Sequence, residues 1–464
     1  LPAMSAATKE RREPVTIVGA GLAGTLVATL LARRGHPVRI FERMPDMRHS
    51  TIPAGRSINL ALAARGIRAL ELAGVMDRVR PLLIPMPGRM LHAIDGALTF
   101  VPYGQGEHEV IYSVSRPDLN RILIDAAERA GVEIRFRTAA VGADIRHHAL
   151  VLRDEVASRL EECPLRRVIA ADGAGSVVRR ALVSELEVPA SEDLLKHGYK
   201  ELSLPPGAGG THRIEKHALH VWPRGGFMLI ALPNLDGSFT VTLFLPHQGE
   251  ESFASLTEPS RITQFFRRHF PDICAMLPAL TDEFLKHPTG IMGTVRCERW
   301  SVDDRLLLIG DAAHAITPFH GQGMNCAFED CRELVAMLDT TTDWSSTFRR
   351  FEAQRRPHTD AIADMAIENY LEMRDTVRDP QFHLQKTLSL ELERRFPQRF
   401  VPRYSMVMFH DEIPYAVALE RGRIQNKILQ QLTRNVSTLG AVDFQAAQRM
   451  IEERLTPISP QAPK

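Results

Sequence analysis

The stretch VTIVGAGLAGTLVATLLARRGHPVRIFER, residues 15–43, decides the fold. It opens on a short β-branched run, places glycines at 19, 21 and 24, continues as a helical pattern ending at Gly35, and closes on a second strand over 38–41 followed by Glu42. Each glycine has a separate task. Gly19 makes the tight turn, Gly21 lets backbone approach a pyrophosphate, and Gly24 lets the helix pack on the strand. The helix N-terminus then faces the phosphates. Glu42 follows Gly19 by twenty-three residues, where an acid accepts hydrogen bonds from a ribose. Three spaced glycines alone are a weak signal, and a glycine-rich turn in an unrelated βαβ unit is the competing reading. The full succession of strand, turn, helix, strand and acid marks a dinucleotide site. It does not decide between FAD and NAD. The fingerprint occurs once, which fits one such fold holding one tightly bound dinucleotide.

Two further segments bear on that choice. VIAADGAGSVVRR, 168–180, reads as a strand running into Asp172-Gly173, then Ser176 and Arg179. By itself it suits any strand-to-helix turn. RLLLIGDAAHAITPFHGQGMN, 305–325, reads as a buried strand, then Gly310-Asp311, an irregular proline-containing loop, and a helix from about Gly323. Met324, Phe328, Cys331, Val335 and Leu338 form a helical apolar stripe, so the body of that helix packs inward. Its first turn leaves free N–H groups. Asp311, His314 and His320 are conceivable metal ligands. No Ser or Cys lies in a motif that would expose a nucleophile. An aspartate for a ribityl hydroxyl and helix N–H groups for phosphate or a flavin edge suit cofactor holding better than metal binding.

The whole chain is consistent with a small-molecule enzyme. Its 464 residues allow two lobes, or one large α/β body with an added sheet. The charges nearly cancel at +1, which argues against a dominant nucleic-acid surface. Five cysteines, at 163, 274, 297, 326 and 331, form no CxxC pair or zinc spacing and suit free thiols in a reducing, cytoplasmic compartment. No uncharged run approaches the ~20 residues needed to cross a bilayer.

With these motifs in hand, the chain resembles the single-component FAD-dependent aromatic hydroxylases, in which GxGxxG, a DG segment and a GD segment occur in this order. Within them it looks most like the kynurenine-hydroxylating branch in its soluble bacterial form. The segments that carry the resemblance are GRSINLALAARG (55–66), YSVSRPDLNRIL (112–123), HGYKEL (197–202), ALPNLDGSFTVTLFLP (231–246), PFHGQGMNCAFED (318–330), ENYLEM (368–373) and PRYSMV (402–407). The similarity covers about 15–432. It implies NADPH- and O₂-dependent hydroxylation of L-kynurenine to 3-hydroxykynurenine through a hydroperoxyflavin, in tryptophan catabolism, with no separate NADPH domain. Eukaryotic members carry a hydrophobic C-terminal membrane segment. This chain ends in polar residues, and no membrane location is expected. The oligomeric state is open, a homodimer being one possibility.

The resemblance also assigns residues. For FAD it implies Gly19, Gly21, Ala23 and Gly24 at the pyrophosphate, Glu42 and Arg43 around the adenosine ribose, Ala61 and Arg116 along the cofactor, Asp311 at the ribityl and pyrophosphate, and Gly323, Met324 and Asn325 near the flavin ring. Pro318, Phe319 and His320 should lie beside the ring. His320 is given no essential proton transfer, because the residue type there varies among relatives. Unaided, Asn369 reads equally well as a satisfied core amide on an apolar helix stripe, and Arg89 as a solvated strand-edge arginine. The family assigns Asn369 to the amino acid end of kynurenine and Arg89 to its carboxylate, a natural bidentate partner for a guanidinium. Tyr103 and Tyr404 complete the carboxylate site. Met373 joins the substrate contacts.

Residues 217–246 read as three alternating strands joined by Arg-Gly-Gly and Asp-Gly turns, hence an antiparallel sheet. Leu219, Ile230 and Phe239 are expected to offer the aniline ring apolar surface, a plain sheet core being an equally good reading of them. His217 and His220 should point to opposite faces, which makes a metal there improbable. The expected architecture is α/β: a Rossmann-like FAD-binding domain (13–75, 105–185, 295–340) interleaved with an antiparallel substrate sheet (76–104, 186–294), then a C-terminal helical region closing the active site (341–455) and a tail (456–464). The rival readings are a flavin hydroxylase of another aromatic acid, a non-catalytic dinucleotide-fold binding protein, and a flavoprotein oxidoreductase that does not insert oxygen.

Overall fold

A computed structural model describes residues 13–50, 59–375 and 380–458. The first residues of the 55–66 segment and most of the expected tail lie outside them. Val15–Val18 is buried along its whole length and pairs in parallel with Val38–Phe41 on one side and Val168–Ala170 on the other. Leu306–Leu308 adds in parallel beyond 168–170, Glu133–Arg135 beyond 38–41, and Ser301–Val302 closes one edge antiparallel. A parallel sheet covered on both faces needs apolar residues at every position, which is why VTIV and VIA show no alternation. Helix Leu22–Ala32 lies on this sheet, and helix Gly323–Leu338 packs beside it in the same core. A three-stranded meander over 138–164 was not anticipated; its strands pair Ala149–Asp154 with Thr138–Asp144 and Arg159–Pro164.

The second large sheet has seven strands, in the order 290–297, 190–204, 239–246, 228–233, 219–223, 88–92, 98–102. The expected trio is there. Leu219–Pro223, Met228–Pro233 and Phe239–Pro246 pair antiparallel through turns in which Gly225, Gly226 and Gly237 all take positive φ. Gly88–His92 adds in parallel, with Arg89 opposite Leu219.

The register divides this sheet into two faces. Ile230 pairs with Val221 and Thr242, and Met228 with Phe244, so Arg89, Leu91, Leu219, Val221, Met228, Ile230 and Phe244 share the front. Phe239, Val241 and Leu243 belong to the back, with Leu229, Ala231 and Trp222, beneath helices Pro259–His269, Pro271–Cys274 and Leu280–Lys286. The expectation that Phe239 joins Ile230 at the substrate is therefore corrected. Both faces of the 239–246 strand are buried, so polarity gave no guide to which face looks at the cofactor side. Phe244 faces that way instead. The two histidines do diverge: His220 is buried against His92 and Trp222, while His217 is exposed and reaches Pro85 O.

Helix Trp344–Asp375 begins in the nucleotide core at Phe348 and Phe351 and ends over the front face at Tyr370 and Met373. Helices Pro380–Arg395, Arg403–Met408, Tyr415–Thr433 and Phe444–Arg454 follow, with a core of their own around Leu388, Phe400, Ile428 and Ile451. Among the described residues no helix is long and apolar enough to cross a membrane.

Candidate active site

Steric limits build the phosphate loop. Gly19 has φ +98°, and a Cβ there would lie 2.6 Å from Ala171 O. One on Gly24 would lie 2.0 Å from Gly19 O, whereas nothing stands within 4 Å of one on Gly21. The loop thus closes tightly at 19 and 24 and is open at 21, which leaves room for a phosphate. Helix 22–32 starts at Gly21 with no side-chain cap, so its first N–H groups remain available. The Glu42 carboxylate accepts from Ala20 N at 2.7 Å and Met44 N at 2.8 Å, bracing the loop while keeping lone pairs for a ribose. Arg43 and Arg116 are exposed, and neither side chain makes a hydrogen bond among the described residues. Ala23 would lie 3.5 Å from a Cβ on Gly310, so the GD segment touches the phosphate-loop helix. Sequence reasoning missed Asn120, which donates to Ala20 O at 3.2 Å and holds its Oδ1 buried without a partner among the described residues. No local pattern marked it.

On the GD side, Asp311 opens the short helix Asp311–His314. Its carboxylate is half-buried and accepts no hydrogen bond among the described residues. Helix 323–338 begins at Gln322, again without a side-chain cap, with Gly323 and Met324 half-buried in its first turn. Asn325 is committed to backbone: Oδ1 accepts from Ala63 N at 2.9 Å, and Nδ2 donates to Ala61 O and Gly321 O, each at 2.9 Å. Its amide therefore fixes Ala61 and Gly321 in place and is not free for a flavin. Two uncapped helix starts, an open glycine and an unpaired carboxylate are the donor and acceptor set that a flavin dinucleotide takes.

His314, one of the three suspected metal ligands, is far better explained by its partner Asp330, whose Oδ2 lies 2.6 Å from Nε2 and also accepts from Gly310 N. Cys326 completes a cluster of ligand-type atoms within 4.8 Å. Arg355 donates to Asp330 Oδ1 at 2.8 Å and lies 3.5 Å from Cys326 Sγ, and burial pushes that thiol up. A guanidinium occupying the cluster makes it an ion-pair node and not a metal centre.

The front face and the helices opposite enclose a second set of side chains. Tyr103 and Tyr404 stack with centroids 5.0 Å apart, and the Arg89 guanidinium lies 5.5 and 5.1 Å from the two rings. His320 stacks on Tyr404 at 5.4 Å. Among the described residues, Arg89 Nε, the Tyr103 hydroxyl and His320 Nδ1 are all buried without a hydrogen bond of ordinary geometry, although Arg89 and Tyr404 stand close enough to the Tyr103 hydroxyl to act on its pKa. Each such group costs roughly 1–3 kcal/mol unless something satisfies it. Three around one space point to an absent polar ligand. Asn369 is buried and donates to Phe319 O at 2.6 Å and to Met373 Sδ at 3.4 Å, and among the described residues no group donates to its Oδ1. Phe319 stacks on Tyr370 at 3.9 Å and meets Phe244 at 5.0 Å; Pro318, which opens the same turn, is exposed. Burial, aided by the charges of Arg403 and Arg89, pushes the His320 imidazole down to about 3, so it is neutral at any working pH. Phe244, Tyr370 and Lys386 were not foreseen. The Lys386 ammonium lies 5.9 Å from the Tyr404 ring on helix 380–395, and burial lowers its pKa.

The chain matches a family model described as an FAD binding domain over residues 12–366. It is 46% identical over 451 residues to the kynurenine 3-monooxygenase of Myxococcus xanthus (strain DK1622), covering 97% of each chain. It is 47% identical over 446 residues to that of Xanthomonas axonopodis pv. citri (strain 306), covering 96% of this chain and 97% of the relative. Among solved structures, a tetrameric form of 2-methyl-3-hydroxypyridine-5-carboxylic acid oxygenase superposes with TM-score 0.64 over 80% of this chain and 95% of that one. The P. aeruginosa protein PqsL, in complex with 2-aminobenzoylacetate, superposes with TM-score 0.60 over 82% and 98%. At 21% and 23% identity these two establish the fold alone. Near-complete coverage by relatives at this identity, over a chain whose glycine loop and GD segment are intact, places the protein in the kynurenine 3-monooxygenase family of FAD-binding proteins.

Proposed function

We propose that the protein is an FAD-dependent monooxygenase that converts L-kynurenine, NADPH, O₂ and a proton into 3-hydroxykynurenine, NADP⁺ and water. The observation that carries this reading is the half-buried Arg89 beside Tyr103 and Tyr404, with a buried Nε and a buried Tyr103 hydroxyl that make no hydrogen bond of ordinary geometry among the described residues, a site that a carboxylate would complete. Bound FAD supplies the electron transfer and oxygen activation that no side chain here can. The residues that would hold it are Gly19, Gly21, Gly24, Glu42 and Asp311.

The chain's own groups then bind, orient and exclude water. Arg89 and the two tyrosine hydroxyls hold the α-carboxylate, and Asn369 Oδ1 accepts from the α-ammonium. The aniline ring lies on the front-face residues Leu219, Ile230 and Phe244, against Phe319. Fixing both ends of the amino acid selects one ring carbon for attack, and orientation of this kind is worth several kcal/mol of barrier. The ring amine already activates its ortho carbon, so no general base is required. Neutral His320 fits a site that keeps protons and water away from the reacting atoms.

The test is NADPH oxidation by the FAD-loaded protein with and without L-kynurenine, with the aromatic product identified by mass. Stimulated turnover with a product heavier by one oxygen is expected. Stimulation yielding only peroxide would refute productive alignment. No stimulation would turn the reading toward another aromatic acid, and a protein that purifies colourless toward a non-catalytic role.

A further inference from the structure

The cofactor loop and the substrate wall meet at one buried cation that the proposed chemistry does not use. Arg65 is 1% exposed and opens helix Ala64–Leu72, directly after the Ala61–Ala63 backbone that Asn325 clamps. Its Nη1 lies 2.5 Å from Glu329 Oε1, one helical turn beyond Asn325 on the cofactor-side helix. The same guanidinium donates to His410 O at 3.3 Å, Asp411 O at 3.2 Å and Ile413 O, and lies 4.0 Å over the Tyr415 ring. Residues 410–413 form the turn that follows helix 403–408, which carries Tyr404. Two lesser ties run in parallel. Tyr415 Oη donates to Gln322 Oε1 at 2.7 Å, and Arg332 pairs with Asp411 at 2.7 Å.

We infer that Arg65 is a positioning residue that couples the two sites: it links the position of the 321–329 cofactor segment to that of the 403–415 segment, so that filling the FAD site orders the Tyr404 wall. A planar five-donor fork can serve Glu329 and three carbonyls together, which a lysine cannot. The far side of Glu329 is held by Arg355 at 2.8 Å, so the acid stays paired on one side when Arg65 is altered. The arrangement fixes the carbonyls of a loop that would otherwise expose unsatisfied acceptors to the interior. The substrate consequence rests on the kynurenine reading, through Tyr404; the coupling itself does not.

The experiment is hydrogen–deuterium exchange on the full-length protein at limiting and saturating FAD, comparing the native chain with Arg65→Lys and Arg65→Met. In the native protein FAD should slow exchange across 403–415 by roughly tenfold, the size of an ordinary coupling between sites. Arg65→Lys keeps a cation against Glu329 and should preserve the fold and the FAD-dependent protection of 19–25, while losing most of the protection at 403–415. Equal FAD-dependent protection of 403–415 in the native and Lys variants overturns the inference, as does an absence of such protection in the native protein. Tyr415→Phe, which deletes only the hydroxyl tie to Gln322, should lose a smaller part of the effect and serves if Arg65→Met does not fold. No kynurenine is present, so a failed substrate assignment and a failed coupling are told apart.

Discussion

The phosphate loop and the substrate chamber are built on opposite plans. The loop uses backbone atoms from one continuous stretch, and its geometry is set by where a Cβ cannot stand: 2.0 Å from Gly19 O at Gly24, 2.6 Å from Ala171 O at Gly19. The chamber uses side chains from separate segments at 89, 103, 319–320, 369–373 and 404, and its geometry is set by which buried polar atoms are left wanting a partner. The difference predicts that damage to the loop removes the cofactor outright, whereas damage to the chamber removes substrate recognition and leaves a yellow protein.

The largest effect expected is from Gly24→Val. With Gly19 O so close, the helix must move off the strand, at a cost above about 4 kcal/mol. The purified variant should contain no FAD, by absorbance against protein; a fully yellow Gly24→Val would break the steric account. Next, Phe239→Ala and Phe244→Ala contrast the two faces of the sheet. Emptying the back-face site should lower unfolding free energy by about 3–5 kcal/mol in denaturant titration, with the kynurenine KM unchanged. Phe244→Ala should raise KM and the fraction of NADPH diverted to peroxide. Equal effects on KM would mean the face assignment is wrong.

A smaller change is expected for Tyr103→Phe, which deletes only the hydroxyl beside Arg89 and Tyr404. Kynurenine affinity should fall by about 1–2 kcal/mol, roughly five- to thirtyfold, with FAD content and KM for NADPH unmoved. A separate effect is read in pH dependence. Burial pushes His220 down to about 4 and His320 down to about 3. Below the unfolded value near 6.5 the unfolded chain takes up protons that the native chain refuses, so stability falls as pH drops. The slope is about 1.4 kcal/mol per pH unit for each histidine, continuing to about 4 for His220 and about 3 for His320. Unfolding of His320→Phe between pH 6.5 and 4.5 should show a shallower slope than the native protein. An unchanged slope would mean that His320 is protonated in the native state.

These contrasts also explain what could be read in advance. Gly19, Gly21, Gly24 and Glu42 are legible because a local turn demands those residue types at that spacing. The 219–246 hairpins are legible through their Gly-Gly and Asp-Gly turns. Phe239 was misplaced because helices cover the back of the sheet as fully as the chamber covers the front, so alternation carries no polarity. Asn325 stands in a cofactor motif yet spends its amide on Gly321 one turn back and on Ala61 and Ala63, the latter two a pairing across more than 260 residues that no spacing announces. Arg65 and Lys386 are invisible for the same reason: their partners come from distant helices.

The central claim is that the orphaned polar atoms around Arg89 are the kynurenine site. The most direct test is to titrate L-kynurenine into the oxidised, FAD-loaded protein and follow the flavin spectrum, for the native chain and for Arg89→Met. The native spectrum should shift saturably, and Arg89→Met, with the same FAD content, should need on the order of a hundredfold more kynurenine, matching the loss of about 2–3 kcal/mol for a charged hydrogen-bond pair. An Arg89→Met protein that binds kynurenine as the native one does would contradict the account.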